Sequence, residues 1–279
     1  MAAIFNHLIP QKKKEKLHVQ RPFVHKPLIL SGKQMVGKHF ELMQDFLSIL
    51  PHAKKEDRVS DDEFYFLDET AFDNHCDTVI LFETRARKTE PYLWIARCPD
   101  GPSITMFIEE EESIQALQLL GNCLKGSRPI LLFDPSFDSD DSPNSLAFKI
   151  AKELFIRAFS VPFQDPRSKP FVDHTLSFFR NDNYIEIRHY QIHWDDESLL
   201  EIGPRVTFRP ISIFQGAFKG HKIWKDKTFI SPNKLRKEEK KKKSEARNRE
   251  RDHQAVREER KSKIEKPKNP MKGLFKPPK

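Results

Sequence analysis

The residues best equipped for chemistry sit near the middle of the chain, in the stretch LLGNCLKGSRPILLFDPSFD, residues 119–138. Gly121 and Gly126 have the five-residue separation of a phosphate-binding loop, G-x-x-x-x-G-K-[ST]. Ser127 stands where that loop carries the lysine that grips the terminal phosphates, and Arg128 follows it. The order of elements is also reversed. A phosphate loop follows a strand and opens a helix, offering the free N–H groups of the helix start. Here a helical run ends at Leu120 and the loop opens an apolar strand. Loop closure, with Lys125 and Arg128 as basic contacts, accounts for the stretch better than a nucleotide site.

Other chemical constellations are thinner. His189 and His193 are four apart, but in a strand pattern and without the glutamate of a zinc protease. Asp173-His174 has no serine or cysteine in a nucleophile elbow to serve. Cys76, Cys98 and Cys123 lie far apart with no C-x-x-C pair, which indicates neither a disulfide framework nor a zinc knuckle and fits a reducing compartment. Acidic clusters at Glu109 to Glu112 and Asp138 to Asp141 fall at turns. Nine glycines supply no glycine-rich cofactor loop. No catalytic residue, cofactor or metal ligand is assigned, and no enzyme is expected.

Basic residues interleaved with aromatics are more informative. Arg180, Tyr184, Arg188, His189 and Tyr190 share neighbouring strands, and Arg205, Arg209, Lys219, His221, Lys222, Trp224 and Lys225 follow within one later segment. Arginine and aromatic planes stack on unpaired bases, while Lys and Arg neutralise phosphates. Half of these side chains should point into the core, because strand neighbours alternate faces. Candidate RNA contacts are Lys33, Lys38, Lys125, Arg128, Arg188, Arg205, Lys219 and Lys222 in the body, with Lys240, Lys241, Lys242 and Lys243 in the tail.

The elements that must position them recur in order. Leu28 to Leu30 reads as a buried strand ending at Ser31-Gly32. Phe40, Met43, Phe46, Leu47 and Leu50 then fall at helical spacing up to Pro51. After a polar loop at Lys54 to Asp62, strands are expected in FYFLDE (64–69), DTVILFETR (77–85), PYLWIARC (91–98) and SITMFIEE (103–110), followed by a short helix over Ile114 to Leu120. Past the central loop, Arg128 to Phe133 is a strand and Asn144 to Phe159 a helix burying Leu146, Ile150, Leu154, Phe155 and Ala158. HTLSFFR (174–180), YIEIRHYQIHW (184–194, across the Asn181-Asp182-Asn183 turn) and RVTFRPISIF (205–214) complete a second meander. Strand, long helix, meander appears twice, an internal duplication matching Leu28–Leu50 to Ile130–Phe159.

Charge separates the ends from the body. Residues 231–279 carry 19 Lys+Arg against 8 Asp+Glu, and residues 1–26 carry 6 against 1. The remainder holds 24 against 32, a net of −8. Polycationic ends suit a densely negative partner, most commonly nucleic acid. Lys237 to Lys263 is a run of Lys, Arg and Glu with little apolar periodicity, expected as a lone helix or a disordered arm that Pro267, Pro270, Pro277 and Pro278 bring to an end. No apolar run approaches the roughly 20 residues that span a bilayer, and the first residues do not read as a secretory signal. A soluble intracellular protein is expected, with KKKEK at Lys12 to Lys16 and KKKK at Lys240 to Lys243 as nuclear import candidates.

The central stretch LGNCLKGSRPILLFDPSFD, with CPDGPSITMFI before it and KPFVDHTLSFF, EIGPRVTF, SIFQGAF and FISPN after it, resembles the Brix-domain family of ribosome biogenesis factors. Within that family it is most similar to members working on the large subunit. The similarity runs from about Pro27 to Asn233. It implies an α/β fold of two similar lobes, each resembling an anticodon-binding domain, without enzymatic activity or a small-molecule substrate. It also implies nucleolar residence and binding to precursor ribosomal RNA alongside other assembly factors and ribosomal proteins, with no membrane partner. The implied organisation is a basic N-terminal extension (1–26), the two-lobed domain (27–230, lobes about 27–125 and 126–230) and a basic tail (231–279). Small-subunit members share much of the domain, so an interaction scaffold with secondary RNA contact is the alternative.

Overall fold

A computed structural model describes residues 25–35, 37–59, 64, 66–84, 90–140, 143–162 and 165–264. The chain divides into two units, residues 1–227 and 228–279. In the first, strands β1 (Pro27–Ser31), β3 (Thr78–Thr84), β4 (Pro91–Arg97) and β5 (Ser103–Glu112) form one half of a sheet, with helix α1 (Gly37–Ile49) after β1. The second half repeats this as β6 (Pro129–Phe133), helix α4 (Ser145–Phe159), β7 (His174–Asn181), β8 (Tyr184–His193) and β10 (Arg205–Phe214). Short elements decorate the frame: β2 (Lys54–Lys55), α2 (Leu67–Asp73), α3 (Ile114–Leu117), β9 (Ser198–Glu201) and β11 (Lys222–Lys225).

The sheet order is β2-β1-β3-β4-β5-β10-β8-β7-β6, with β9 on β8 and β11 on β10. Read inward from either edge, each half starts with a parallel pair, β1 with β3 and β6 with β7, and continues antiparallel. The halves meet where their last strands, β5 and β10, pair antiparallel. The duplication read from the order of elements is therefore present as a repeated topology.

Both long helices pack on one face. Leu42, Met43, Phe46 and Ile49 of α1 and Ala147, Phe148, Ala151, Leu154, Phe155, Ala158 and Phe159 of α4 join Ile29, Ile80, Phe82, Ile95, Ile104, Phe178, Ile187 and Phe208 from the strands in one core. Phe46 and Phe159 touch edge to face with centroids 5.4 Å apart, so the two helices meet directly. Phe178 stacks on Phe133 at 4.4 Å and contacts Phe155 and Phe159. On the opposite face, the first half buries Leu28, Leu30, Val79, Leu81 and Trp94 against Leu67 and Ala71 of α2 and against Ala217 and Phe218. In the second half the first seven residues of β8 and most of β10 alternate buried with partly open residues, and β6 alternates partly open with exposed.

Several expectations are corrected. Among its described residues the FYFLDE stretch forms no strand: its end opens α2, where Leu67 and Ala71, four apart, are buried and the acidic Asp68 and Glu69 fall in the first turn. Negative charge there suits the positive end of a helix dipole. The helix expected to reach Leu120 stops at Leu117, because Gln118 takes a left-handed conformation. Leu146 is exposed rather than buried, and Ile150 only packs from the flank; Ala147, Phe148 and Ala151 fill the interface instead. The polar loop after α1 holds the two-residue β2, parallel to β1.

The second unit contains helix α5 (Pro232–Lys263), 32 residues with none buried. It is held by pairs one turn apart, such as Lys263–Glu259 at 2.6 Å and Lys241–Glu245 at 3.9 Å. Such pairs contribute about 0.2–0.5 kcal/mol each. The Lys12 to Lys16 run and the prolines from Pro267 onward lie outside the described residues.

Replacing Phe178 by Ala should cost about 3–5 kcal/mol of stability in urea unfolding, since a fully buried ring leaves a cavity. Phe72→Ala, at a site 75% exposed, should change it by less than about 0.5 kcal/mol. His52 is fully enclosed, and burial, only partly offset by Asp165, pushes its pKa down to about 4. The unfolded chain binds a proton below pH ~6.5 that the native state refuses until pH falls to about 4. Stability should fall across that window by on the order of 3 kcal/mol, and His52→Gln should remove this part of the slope between pH 7 and pH 4.

Candidate nucleic-acid interface

The central loop, residues 118–128, is tied down through several of its backbone amides. The N–H of Asn122 donates to the Gln191 side chain at 2.8 Å, that of Leu124 to the Asp173 carboxylate at 2.6 Å, and that of Arg128 to the Phe171 carbonyl at 2.9 Å. The Ser127 N–H and hydroxyl both donate to the Leu124 carbonyl. These donors are spent on the protein, so the loop is not a cradle for phosphate. A Cβ on Gly121 would collide with the Glu201 carbonyl, and Gly126 holds φ at +85° beside the Arg167 carbonyl. Both glycines serve close packing and a left-handed turn.

Side chains at this loop are placed to meet a partner. Lys125 is exposed, and the adjacent extended segment brings exposed Lys169 beside Gly126, its backbone N–H donating to the Gly126 carbonyl at 2.7 Å. Phe171, 55% exposed, and Leu124, 56% exposed, flank the two lysines. Arg128 is half-buried and its guanidinium reaches the Pro170 carbonyl at 3.5 Å. Arg167 is spent inward, donating to the carbonyls of His52 and Ala53 at 2.6 and 3.0 Å. Sequence reading missed Lys169. Its signal is weak, a lone lysine in the polar stretch before PFVDHT.

The other candidates divide into two groups. Arg188, Arg205 and Lys38 line a shallow groove with Thr207 and four consecutive glutamates, Glu109 to Glu112. Arg205 is clamped by Glu201, with hydrogen bonds at 2.7 and 2.6 Å that raise its pKa further and hold the Glu201 carboxyl below the usual range. Arg188 pairs with Glu186 at 3.1 Å. Lys219 pairs with Asp68 at 2.6 Å. Arg209, although part of the expected aromatic–basic array, is turned to Asp226 at 2.9 Å. Lys33, Lys38, Lys125 and Lys222 are exposed and enter no ion pair with a described residue; Lys222 sits 5.3 Å over the Phe214 ring. Lys240, Lys241, Lys242 and Lys243 are exposed on α5, which carries 14 Lys+Arg against 7 Asp+Glu.

The EIGPR segment, Glu201 to Arg205, is a corner. Gly203 holds φ at +91°, and a Cβ there would strike the Leu117 side chain at 2.7 Å. Its carbonyl accepts the Nδ1–H of His189 at 2.6 Å. Burial, with His174 beside it, pushes the His189 pKa down to about 4. Ser127, His174 and Asp173 also meet, but not as a hydrolytic triad. Asp173 at 2.7 Å and the Ser127 hydroxyl at 3.1 Å both face the same ring nitrogen, Nδ1. A triad needs the two on opposite nitrogens, and Ser127 is buried.

Comparison with known proteins gives the family. A family model described as the Brix domain matches residues 32–212. A protein of Xenopus laevis named ribosome biogenesis protein BRX1 homolog is 38% identical over 207 residues, covering 74% of this chain and 59% of that one. Its Drosophila melanogaster counterpart is 36% identical over 232 residues, covering 82% and 62%. Ribosome biogenesis protein BRX1 of Saccharomyces cerevisiae is 35% identical over 255 residues, covering 85% and 86%. The chain thus spans about three fifths of the length of the frog and fly relatives. Among solved structures, a probable ribosomal biogenesis protein of Aeropyrum pernix aligns with a TM-score of 0.45 at 12% identity, over 66% of this chain and 96% of that one. On the family match and these relatives, the chain belongs to the Brix domain family.

Proposed function

We propose that this protein is a non-catalytic ribosome biogenesis factor that binds precursor rRNA and assists assembly of the large ribosomal subunit in the nucleolus. The observation that carries the reading is the charge arrangement around an acidic body. Helix α5 presents its excess of 7 positive charges with no buried face, over a length of about 48 Å at 1.5 Å per residue. The central loop exposes Lys125, and the adjacent segment exposes Lys169 and Phe171. Cations with an adjacent exposed ring suit phosphate and an unpaired base together. The names of the relatives support ribosome biogenesis as the setting, with other assembly factors and ribosomal proteins as neighbours.

The paired cations are demoted in this reading. Arg188, Arg205 and Lys219 already have carboxylates, and phosphate would have to displace them. Lys33, Lys125 and Lys222, with Lys169, remain as the body contacts, whereas Lys38 shares its groove with Glu109 to Glu112.

A second reading, a scaffold for another protein, is favoured by one observation. On the partly open face of the second half, Ile130 and Leu132 of edge strand β6 and Phe179 of β7 are 38%, 48% and 42% exposed. An apolar row on a sheet edge suits a protein strand or helix better than RNA.

Removal of residues 232–279 should weaken binding of a precursor rRNA fragment. It should also flatten the plot of log affinity against log salt, by about 0.7–0.9 for each phosphate that the arm neutralises. An unchanged slope would count against the arm. The double variant Lys125→Glu, Lys169→Glu should move in-cell RNA crosslinks away from the central loop while leaving the fold intact by circular dichroism. Crosslinks only to protein, centred on Leu132, would instead favour the scaffold.

A further inference from the structure

Three side chains far apart in sequence converge under the central loop. Cys123 lies on the loop, His174 opens β7 and His189 sits in β8; one ligand atom from each lies within 4.8 Å of the other two. Strand pairing explains the histidines: Leu176 is opposite His189 and His174 opposite Gln191, so the two rings are diagonal neighbours, 5.0 Å apart at 72°. Cys123 is brought in by the loop contacts of its neighbours, Asn122 to Gln191 and Leu124 to Asp173.

The hydrogen bonds fix which nitrogen of each ring carries the proton. His174 Nδ1 faces the Asp173 carboxylate at 2.7 Å, which accepts only, and the Ser127 oxygen at 3.1 Å, whose own hydrogen is given to the Leu124 carbonyl. His189 Nδ1 faces the Gly203 carbonyl at 2.6 Å. Each ring therefore donates through Nδ1 and keeps a bare lone pair on Nε2. Both residues are 1% exposed or less, and both Nε2 atoms are buried without a hydrogen-bond partner. An unmet buried polar atom is destabilising. Two such lone pairs beside a thiol make a donor set of two imidazoles and one sulfur, each imidazole oriented from behind by a carboxylate or carbonyl, as metal-bound histidines are.

We propose that Cys123, His174 and His189 bind a zinc ion, which ties the loop leaving the first half of the fold to β7 and β8 of the second. Zinc bonds of about 2.0–2.1 Å to nitrogen and 2.3 Å to sulfur place donors roughly 3.3–3.6 Å apart in a tetrahedron. The three atoms are already within reach of that spacing, and the half-buried loop side leaves the fourth position for water or a partner's ligand. On binding, the Cys123 thiol releases its proton to solvent and coordinates as thiolate. The separation of Cys123 from His174 by 51 residues hides this set from spacing motifs.

The test uses the untagged full chain, purified with zinc and washed with a weak chelator. Mass-spectrometric metal analysis should find one zinc per chain, and cobalt substitution should give a thiolate-to-cobalt charge-transfer band with the d–d bands of a tetrahedral site. Cys123→Ser should lose the metal and the charge-transfer band, while His193→Ala keeps both. Zinc should also slow alkylation of Cys123 in the unaltered chain at least ten-fold, a readout independent of any variant's folding. Absence of zinc, full retention in Cys123→Ser, or an alkylation rate indifferent to zinc would overturn the proposal.

Discussion

The antiparallel pairing of β5 with β10 is the constraint on which the rest of this molecule depends. Two strands related this way inside one sheet are exchanged by a twofold axis normal to the sheet, which keeps each face a single face. Parallel strand–helix–strand crossovers are right-handed almost without exception, so each half must place its helix on the face its own crossover dictates. With the axis normal to the sheet, those faces coincide. That is why α1 and α4 lie side by side, touching through Phe46 and Phe159, and why one core serves both halves. It also leaves the opposite face to be covered separately. The first half covers it with α2 and the segment around Phe218; the second half leaves it partly open.

Much of this is legible in the sequence because long elements carry their own periodicity. The alternation of YIEIRHYQ and RVTFRPISIF marks β8 and β10, and the apolar spacing before Pro51 marks α1. What escapes is local and short. In α2 only Leu67 and Ala71 are buried, two residues that set no period, while Phe66 and Phe72 face solvent and imitate a strand's apolar content. Strands β2, β9 and β11 span two to four residues and exist because a neighbour's edge is available to pair with. The apolar stripe of α4 is broad enough to suggest that Leu146 lies inside, but Ala147 and Ala151 allow the helix to approach the sheet more closely on another side.

The candidate interface is less legible, for a reason that lies in long-range pairing. A cation's availability depends on whether a carboxylate reaches it, and here several partners are remote in sequence, Asp68 for Lys219, Asp226 for Arg209 and Glu112 for Arg205, while Glu201 lies four residues from Arg205. Spacing along the chain cannot reveal the first of these. The aromatic–basic pattern of β8 and β10 is a surface feature, as the alternation implies, yet its charges are largely balanced across the strands. Lys125 keeps its expected exposure because the loop's backbone, rather than its side chains, makes the packing contacts.

For an acidic body to bind RNA, as proposed, it must separate its signs in space. The Debye length at physiological salt is about 8 Å, so a phosphate responds to the charges in its own neighbourhood and hardly at all to the net −8 of residues 27–230. The groove with Glu109 to Glu112 is therefore an unfavourable track even though three cations line it. The loop bearing Lys125, with Lys169 beside it and Asp173 occupied by inward hydrogen bonds, is a favourable one. Hydrogen bonds from the His174 ring and the Leu124 N–H help to hold the Asp173 carboxyl below the usual range against the cost of its burial. The same carboxylate that anchors the loop thereby has its hydrogen-bond acceptors engaged by the protein. Rigidity of the connection and positive potential at its exposed side follow from one arrangement of residues.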